Sequence, residues 1–309
     1  MSRTATIACL TGAGTAPELM AEAVLALAAV TRLHGLRIDE VHAPFGGVAV
    51  AQAGQPVPAP TRAAILAADA VLVAGAEEPA LAEVTSELDL RARVTRVRFG
   101  HRDDIALVSP LQESASEWTL ANAFRIAERR SLQIASVGET GWHELTDAVG
   151  EGYEHVRVEH LPPRVAVPLA AFNPGRFDVI AVAQPWAEPV VEIAAAPASA
   201  RVAAHGLLAE HGPSLFVPSP DGGFALAGQG IVNPSSMLLA AAMMLEHGLA
   251  EPAAAATLAG AVSAALVDGP QTPDLLQRGV GATSREFTSR VLAGFQLSLR
   301  NAEFWAEVA

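Results

Sequence analysis

Residues 4–18 read Thr4-Ala5-Thr6-Ile7-Ala8-Cys9-Leu10-Thr11-Gly12-Ala13-Gly14-Thr15-Ala16-Pro17-Glu18, and a long Ala/Leu/Val stretch then runs to Gly35. The apolar opening predicts a strand over 4–10. Pro17 and Glu18 suit the first turn of a helix, so a helix is expected over 17–34. The same strand–turn–helix unit recurs outward from this stretch: strand 36–42, helix 61–68, and the buried strand Asp69-Ala70-Val71-Leu72-Val73-Ala74-Gly75. A second set gives strand 104–108, helix 115–130, strand 132–137, helix 142–150, strand 154–160, helix 165–172 and strand 178–182. This alternation predicts an α/β fold. The last third reads as helical at 188–196, 199–211, 234–249, 252–267 and 283–305. Pro and Gly clusters at 54–60, 212–223 and 268–281 read as loops.

The 309 residues are 51% hydrophobic and 17% charged, which excludes a disordered chain, a coiled coil and a small disulfide scaffold. A formal charge of −13 argues against a nucleic-acid partner, because phosphate backbones are repelled. No basic amphipathic stretch suggests a membrane surface, and no apolar run reaches spanning length without Gly, Pro or charge. The first residues are too short and weakly apolar for a secretory signal, so a cytoplasmic protein is expected. All 20 basic residues are arginine. With no lysine, there is no Schiff-base, P-loop or acid–base lysine. There is one tyrosine, Tyr153, and one cysteine, Cys9, which lies in an apolar run and reads as packing.

Residues 227–247, from Ala227-Gly228-Gln229-Gly230-Ile231-Val232-Asn233-Pro234-Ser235-Ser236 to Met243-Met244-Leu245-Glu246-His247, closely resemble a block of the isopropylmalate and isocitrate dehydrogenases, the β-decarboxylating dehydrogenases. Further pieces are similar to that family, in family order. They are the Gly12–Glu18 loop, Phe45-Gly46-Gly47, Ser86-Glu87-Leu88-Asp89-Leu90, Arg176-Phe177-Asp178-Val179-Ile180, and Gly281-Ala282-Thr283 with Phe287-Thr288. The resemblance implies an isopropylmalate-dehydrogenase-like α/β fold of two domains around a central cleft. Residues 1–94 plus 199–309 would form the first domain and 95–198 the second. It also implies a homodimer whose second domains exchange an arm, for which Gly152–His160 is the candidate. The Met243-Met244 pair reads as packing.

The family reaction oxidises a 2-hydroxy acid with a dinucleotide and then releases CO₂. It needs a base, a divalent metal that polarises the oxygen, an acid, usually tyrosine, and arginines that grip carboxylates. By the resemblance, the family lysine position carries Glu139. The tyrosine segment is shortened at Pro110-Leu111-Gln112-Glu113. The substrate arginines would fall near Thr85, Thr95 and Ser109. Arg91, Arg93, Arg96 and Arg98 lie close to two of these, either as shifted substitutes or as an exposed charged strand. The metal aspartate positions carry Arg164 on one segment and Glu188 and Glu192 on the other, with Gln184 in place of an asparagine. Two arrangements are open for the glutamates. They hold a divalent cation on longer arms, or Arg164 of a neighbouring subunit takes the metal's place beside them, with Glu139 able to join. The second is preferred, because a guanidinium at ~4 Å opposes a dication by several kcal/mol at an effective dielectric near ~20. No cofactor is then expected, and NAD with Mg²⁺ or Mn²⁺ enters only if the ordinary reaction survives.

The adenosine loop of the family is degraded to Val217-Pro218-Ser219-Pro220-Asp221-Gly222-Gly223. Asp221 is a weak substitute for the ribose carboxylate, or part of an ordinary turn. Gly12, Gly14 and Asn233 remain as weak cofactor candidates, each with a structural alternative in a tight turn or a helix cap. Glu77-Glu78-Pro79 would bring negative charge where a pyrophosphate binds. His143, beside Glu144 and near Glu139, is a candidate base. His205 and His211 fall one and a half turns apart on the expected 199–211 helix and do not share a ligand face. Trp142 and Trp186 read as pocket filling or core. The expectation is therefore a divergent family member, either a metal-free enzyme or a pseudoenzyme serving as a binding or regulatory subunit. Two alternatives stand beside it: an active NAD-dependent oxidoreductase with relocated residues, and a binder of small molecules in the cleft.

Overall fold

In a computed structural model, residues 4–75, 78–99, 103–195, 203–219, 224–276 and 280–295 are described. The chain divides into two compact units, Met1–Leu88 with His211–Ala309, and Asp89–Glu210.

The first unit begins with β1 (Thr4–Thr11), α1 (Ala16–Leu33), β2 (Arg37–Pro44), α2 (Gly46–Ala53), α3 (Ala59–Ala67), β3 (Ala70–Ala74) and α4 (Glu78–Glu87). The second unit carries β4 (Leu90–Phe99), β5 (Asp103–Pro110), α5 (Ser116–Glu128), β6 (Gln133–Val137), α6 (Thr140–Gly150), β7 (Arg157–Leu161), α7 (Pro163–Phe172), β8 (Val179–Val182), α8 (Ala187–Ala195) and β9 (Ala203–Ala209). The chain then returns to the first unit with β10 (Ser214–Ser219), α9 (Ser235–Met243), a π turn over Met244–Gly248 and α10 (Pro252–Asp268). A last helix is described from 284 to 295. No helix among the described residues is long and apolar enough to cross a membrane.

The strands of the first unit run in the order β2-β1-β3-β10, all parallel. β3 is buried at every residue, as a central parallel strand covered on both faces must be. Every residue of α9 is buried, so this helix is apolar all round because it has no solvent face. In the second unit the order is β9-β4-β5-β8-β6-β7. β4 runs antiparallel to both β9 and β5, while β5, β8, β6 and β7 are mutually parallel. The pairs Arg93↔Ser109 and Phe99↔Asp103 therefore put the amino end of β4 at the carboxyl edge of the parallel strands. Val97, Ile105, Leu107, Val137, Ile180, Val182 and Val190 form part of this unit's core.

Two sequence expectations change. The 199–211 helix is not formed where it is described: residues 203–209 are strand β9, paired with β4 through Ala204↔Arg96, His205↔Thr95 and Leu207↔Arg93. Its Ala/Leu composition suits a helix, but pairing with a strand over a hundred residues away overrides that weak preference. The 212–223 loop contains β10, whose Leu215, Phe216 and Val217 are buried and which Pro213 and Pro218 had disguised. Within the candidate arm Gly152–His160, residues Arg157–His160 belong to strand β7, which pairs along its whole length with β6 from Gln133↔Arg157 to Val137↔Leu161, as the strand expected over 154–160 requires. The start of the expected 199–211 helix and the end of the 283–305 helix lie outside the described residues.

Candidate functional site

The carboxyl ends of β5, β8, β6 and β7 share one edge, and that edge is where parallel sheets present residues to ligands. Glu139 follows β6, Arg164 follows β7, and Glu188 and Glu192 follow β8 on α8. His143 lies in the first turn of α6. The topology therefore places all five sequence-singled residues along this edge.

Their side chains divide into separate groups. Glu139 is the exposed residue preceding α6, and its carbonyl accepts hydrogen bonds from the backbone N–H groups of Trp142 and His143. Arg164 is exposed and makes no ion pair among the described residues. Glu188, half-exposed at the start of α8, is held by the Arg93 guanidinium from β4. Glu192, one turn on, is exposed. His143 packs against His160 with ring centroids 4.5 Å apart and the ring planes tilted by 38°, and His160 bonds Asp147 at 2.8 Å. Gln184 Nε2 donates to the Pro110 carbonyl at 2.9 Å, which ties the β8–α8 turn to the end of β5. Trp142 is buried, and Trp186 is partly exposed at 37%.

The four arginines of β4 part company. Arg91 pairs with Asp89 at 2.9 Å and with Glu210 at 3.5 Å. Arg93 reaches Glu188. Arg96 and Arg98 lie toward the opposite, amino edge, around Asp104. Arg96 Nε donates to Asp104 at 2.7 Å, and Arg130 bridges Asp104 at 3.0 Å to Asp178 at 2.5 Å. Burial alone would push the Asp104 carboxyl up, but the surrounding guanidiniums of Arg96, Arg130 and Arg98 outweigh it and hold it well below the usual carboxylate range. Burial shifts Arg98 down. Arg96 and Arg98 therefore serve this buried network.

One residue, level with the middle of the parallel strands, was misjudged because its element was misread. His205 stands on β9 directly opposite Thr95 on β4, and its Nδ1 is 2.9 Å from Thr95 Oγ1. Burial, and then the positive charge of Arg93, outweigh the pull of Glu188 and lower its pKa to about 4, so the ring is neutral at pH 7. A period-two reading of residues 203–209 would have brought it to this face.

In the first unit, Gly12 and Gly14 turn the chain from β1 into α1. Gly12 N–H donates to the Ala74 carbonyl at 2.8 Å, and a Cβ there would lie 2.5 Å from the Gly75 oxygen. Gly14 has φ +67° and packs under the Phe224 ring, 3.3 Å from where its Cβ would be. Close packing thus accounts for both glycines. Asn233 is buried. Its amide donates to Thr272 Oγ1 and its carbonyl accepts from the Ser235 N–H, capping α9. Asp221, Gly222, Gly223 and Glu77 lie outside the described residues.

Tyr153 is stacked on Phe124 at 4.9 Å, with its hydroxyl 3.5 Å from the Ala121 carbonyl. Among the described residues, no group of three or more His, Cys, Asp or Glu side chains could hold a metal ion. Glu188, at one of the positions the resemblance gives to the metal, is engaged by the Arg93 guanidinium, whose charge opposes a dication there.

Two α/β units, one with an all-parallel sheet and one with a mixed sheet, define a fold shared with dehydrogenases. A β-decarboxylating dehydrogenase from Thermococcus kodakarensis, solved in its apo form, superposes with a TM-score of 0.83 over 97% of this chain and 99% of its own, at 22% identity. Isocitrate dehydrogenase from Methylococcus capsulatus gives 0.78 over 94% and 99%, at 21% identity. A family model described as isocitrate/isopropylmalate dehydrogenase matches residues 6–98 and 127–291, and the chain belongs to that family. Its relatives include 3-isopropylmalate dehydrogenases from Bacillus cereus, 29% identical over 93% of this chain and 95% of the relative, and from Streptococcus mutans, 28% identical over 93% and 98%. The Bacillus alignment runs over 346 positions, more than this chain possesses, so the relative carries segments that are missing here. The family match also leaves out residues 99–126, which hold the short β5–α5 connection.

Proposed function

We propose that this protein is a divergent member of its family that does not perform NAD- and metal-dependent oxidative decarboxylation. It acts as a metal-free enzyme, or as a pseudoenzyme that serves as a binding or regulatory subunit. The observation that carries this reading is the complete absence of lysine together with a sole tyrosine, Tyr153, that is packed against Phe124. The two proton-handling side chains of the family reaction then have no occupant. The Arg93–Glu188 pair supports the same reading, since it commits one of the two carboxylates standing at the metal positions. The reading includes a homodimer in which Arg164 of one copy approaches Glu192 of the other, and a cytoplasmic location. Calorimetric titration with Mg²⁺ and Mn²⁺ tests it. No tight binding is expected, and tight binding that disappears in Glu188→Ala would overturn it.

A second reading has a specific observation in its favour. Arg91 and Arg93 stand at the carboxyl edge, and relocated arginines there suit an NAD-dependent oxidoreductase acting on a 2-hydroxy acid of the isopropylmalate or tartrate type. Turnover of NAD⁺ separates the two. If instead the protein only binds a small molecule, a metabolite panel should raise its melting temperature without turnover.

A further inference from the structure

The amino edge of the first unit's sheet holds a cavity of about 120 Å³, and every residue that lines it belongs to that unit. Ala5 and Ile38, paired across β1 and β2, line it together with Leu36. Asp69, the residue before β3, and the segment Gly248–Glu251, between the π turn and α10, complete the wall.

The backbone of that segment is bent into place. Leu249 N–H donates to the Met244 carbonyl at 3.0 Å, and Glu251 N–H donates to the Leu245 carbonyl at 2.7 Å. Between them Ala250 has φ +58°, a left-handed conformation that costs an alanine more than a glycine. At Gly248 a Cβ would lie 2.9 Å from Phe216 Cε2 and 3.0 Å from Ala70 Cβ, so the π turn packs directly on β3 and β10. These contacts fix Leu249 and Glu251 beside the strand ends.

Charge then defines what the cavity accepts. Arg37 and Glu251 make no ion pair or side-chain hydrogen bond among the described residues. Asp69 Oδ2 accepts the Thr6 N–H at 2.8 Å, which holds that carboxylate at the strand ends. The cavity thus presents one guanidinium, two carboxylates and the aliphatic side chains of Leu36, Ile38 and Leu249. An anion alone would meet the carboxylates, and a cation alone would leave the guanidinium unmatched. A molecule with both charges answers both. A guanidinium grips a carboxylate through two parallel N–H donors, and an ammonium has three donors to share between carboxylates. The volume is well under that of a pocket for a drug-sized ligand, so the occupant is small.

We propose that this pocket binds a small aliphatic amino acid as its zwitterion. Arg37 takes the carboxylate, Asp69 and Glu251 take the ammonium, and the side chain lies against Leu36, Ile38 and Leu249. None of these residues is among those that the resemblance gives to metal, substrate or dinucleotide. The inference therefore stands whether or not the oxidative reaction survives.

Calorimetric titration of the full-length protein with L-valine tests it, beside isobutylamine, 3-methylbutanoate and glycine. These lack the carboxylate, the ammonium and the aliphatic group respectively. Valine should bind at least tenfold more tightly than any of the three. Arg37→Gln and Glu251→Gln, neither of them at a buried position, should each weaken valine at least tenfold. In methyl NMR spectra of the wild type, the Ile38 δ1 resonance should shift as valine is added, which locates the ligand without any variant. No valine binding at tens of millimolar, a singly charged analogue that binds within a few-fold of valine, or undiminished binding in both variants would each overturn the proposal. So would an unmoved Ile38 methyl with valine bound.

Discussion

Replacing His205 with glutamine should make the protein markedly less sensitive to mild acid. Burial and Arg93 hold the folded pKa of His205 at about 4, whereas the unfolded ring titrates near 6.5. Between those values the unfolded chain binds the proton and the folded chain does not. Stability is therefore complete above about pH 6.5 and falls as the pH drops toward 4. By pH 5 this one group removes about 2 kcal/mol, with Glu188 and Arg93 the charged neighbours that set the value. The assay is urea unfolding of wild type and His205→Gln at pH 7 and pH 5. Comparing the pH dependence of each protein cancels any fixed cost of the substitution. The wild-type midpoint should fall by on the order of 1 M more than the variant's, for an m-value of about 2 kcal/mol/M. Equal falls in the two proteins would refute the claim that His205 is buried neutral.

Other consequences follow from the same geometry. Asp104→Asn leaves Arg96, Arg98 and Arg130 clustered without their shared carboxylate and should cost about 3–5 kcal/mol in urea unfolding. In the wild type, the low pKa of Asp104 means that its contribution is present above the ordinary carboxylate range and is lost as the pH falls below it. Gly12→Ala drives a Cβ to 2.5 Å from the Gly75 oxygen and should cost about 1–3 kcal/mol, read as a lowered Tm. Gly141→Ala, which meets nothing within 4 Å in α6, should leave Tm unchanged or raise it. Cys9 is fully buried and its thiol is pushed up to about 12, first by burial and then by Glu40. It should stay unlabelled by Ellman's reagent in the native protein and react fully in urea; rapid native labelling would contradict the packing of β1.

What the sequence disclosed was whatever depends on near neighbours. The strand–glycine turn–helix of β1 and α1, the apolar run of β3 and the Asn233 cap on α9 all rest on contacts a few residues apart, and each was legible. β9 was not, because an Ala/Leu-rich segment is helical by local preference and becomes a strand only through β4. That error concealed His205, whose meaning depends on Thr95, 110 residues away. The edge residues Glu139, His143, Arg164, Glu188 and Glu192 were selected by resemblance, and the topology does place them along one edge. The partner of Glu188, however, proved to be Arg93, from 95 positions earlier in the chain. Charge pairing across that distance leaves no periodic trace. Arg91 and Arg93 share one face of β4 while Arg96 and Arg98 share the other, a change of phase that period-two alternation makes readable once 90–99 is taken as a strand, whereas the carboxylates each pair meets come from distant segments.

The central claim is the proposal that this chain does not carry out NAD- and metal-dependent oxidative decarboxylation. The most direct measurement is NADH absorbance when the purified protein is given NAD⁺, Mg²⁺ or Mn²⁺, and in turn 3-isopropylmalate, isocitrate, tartrate and malate. The account predicts no turnover above the rate without protein for any of the four. Steady NADH production with one of them, abolished by EDTA, would contradict it.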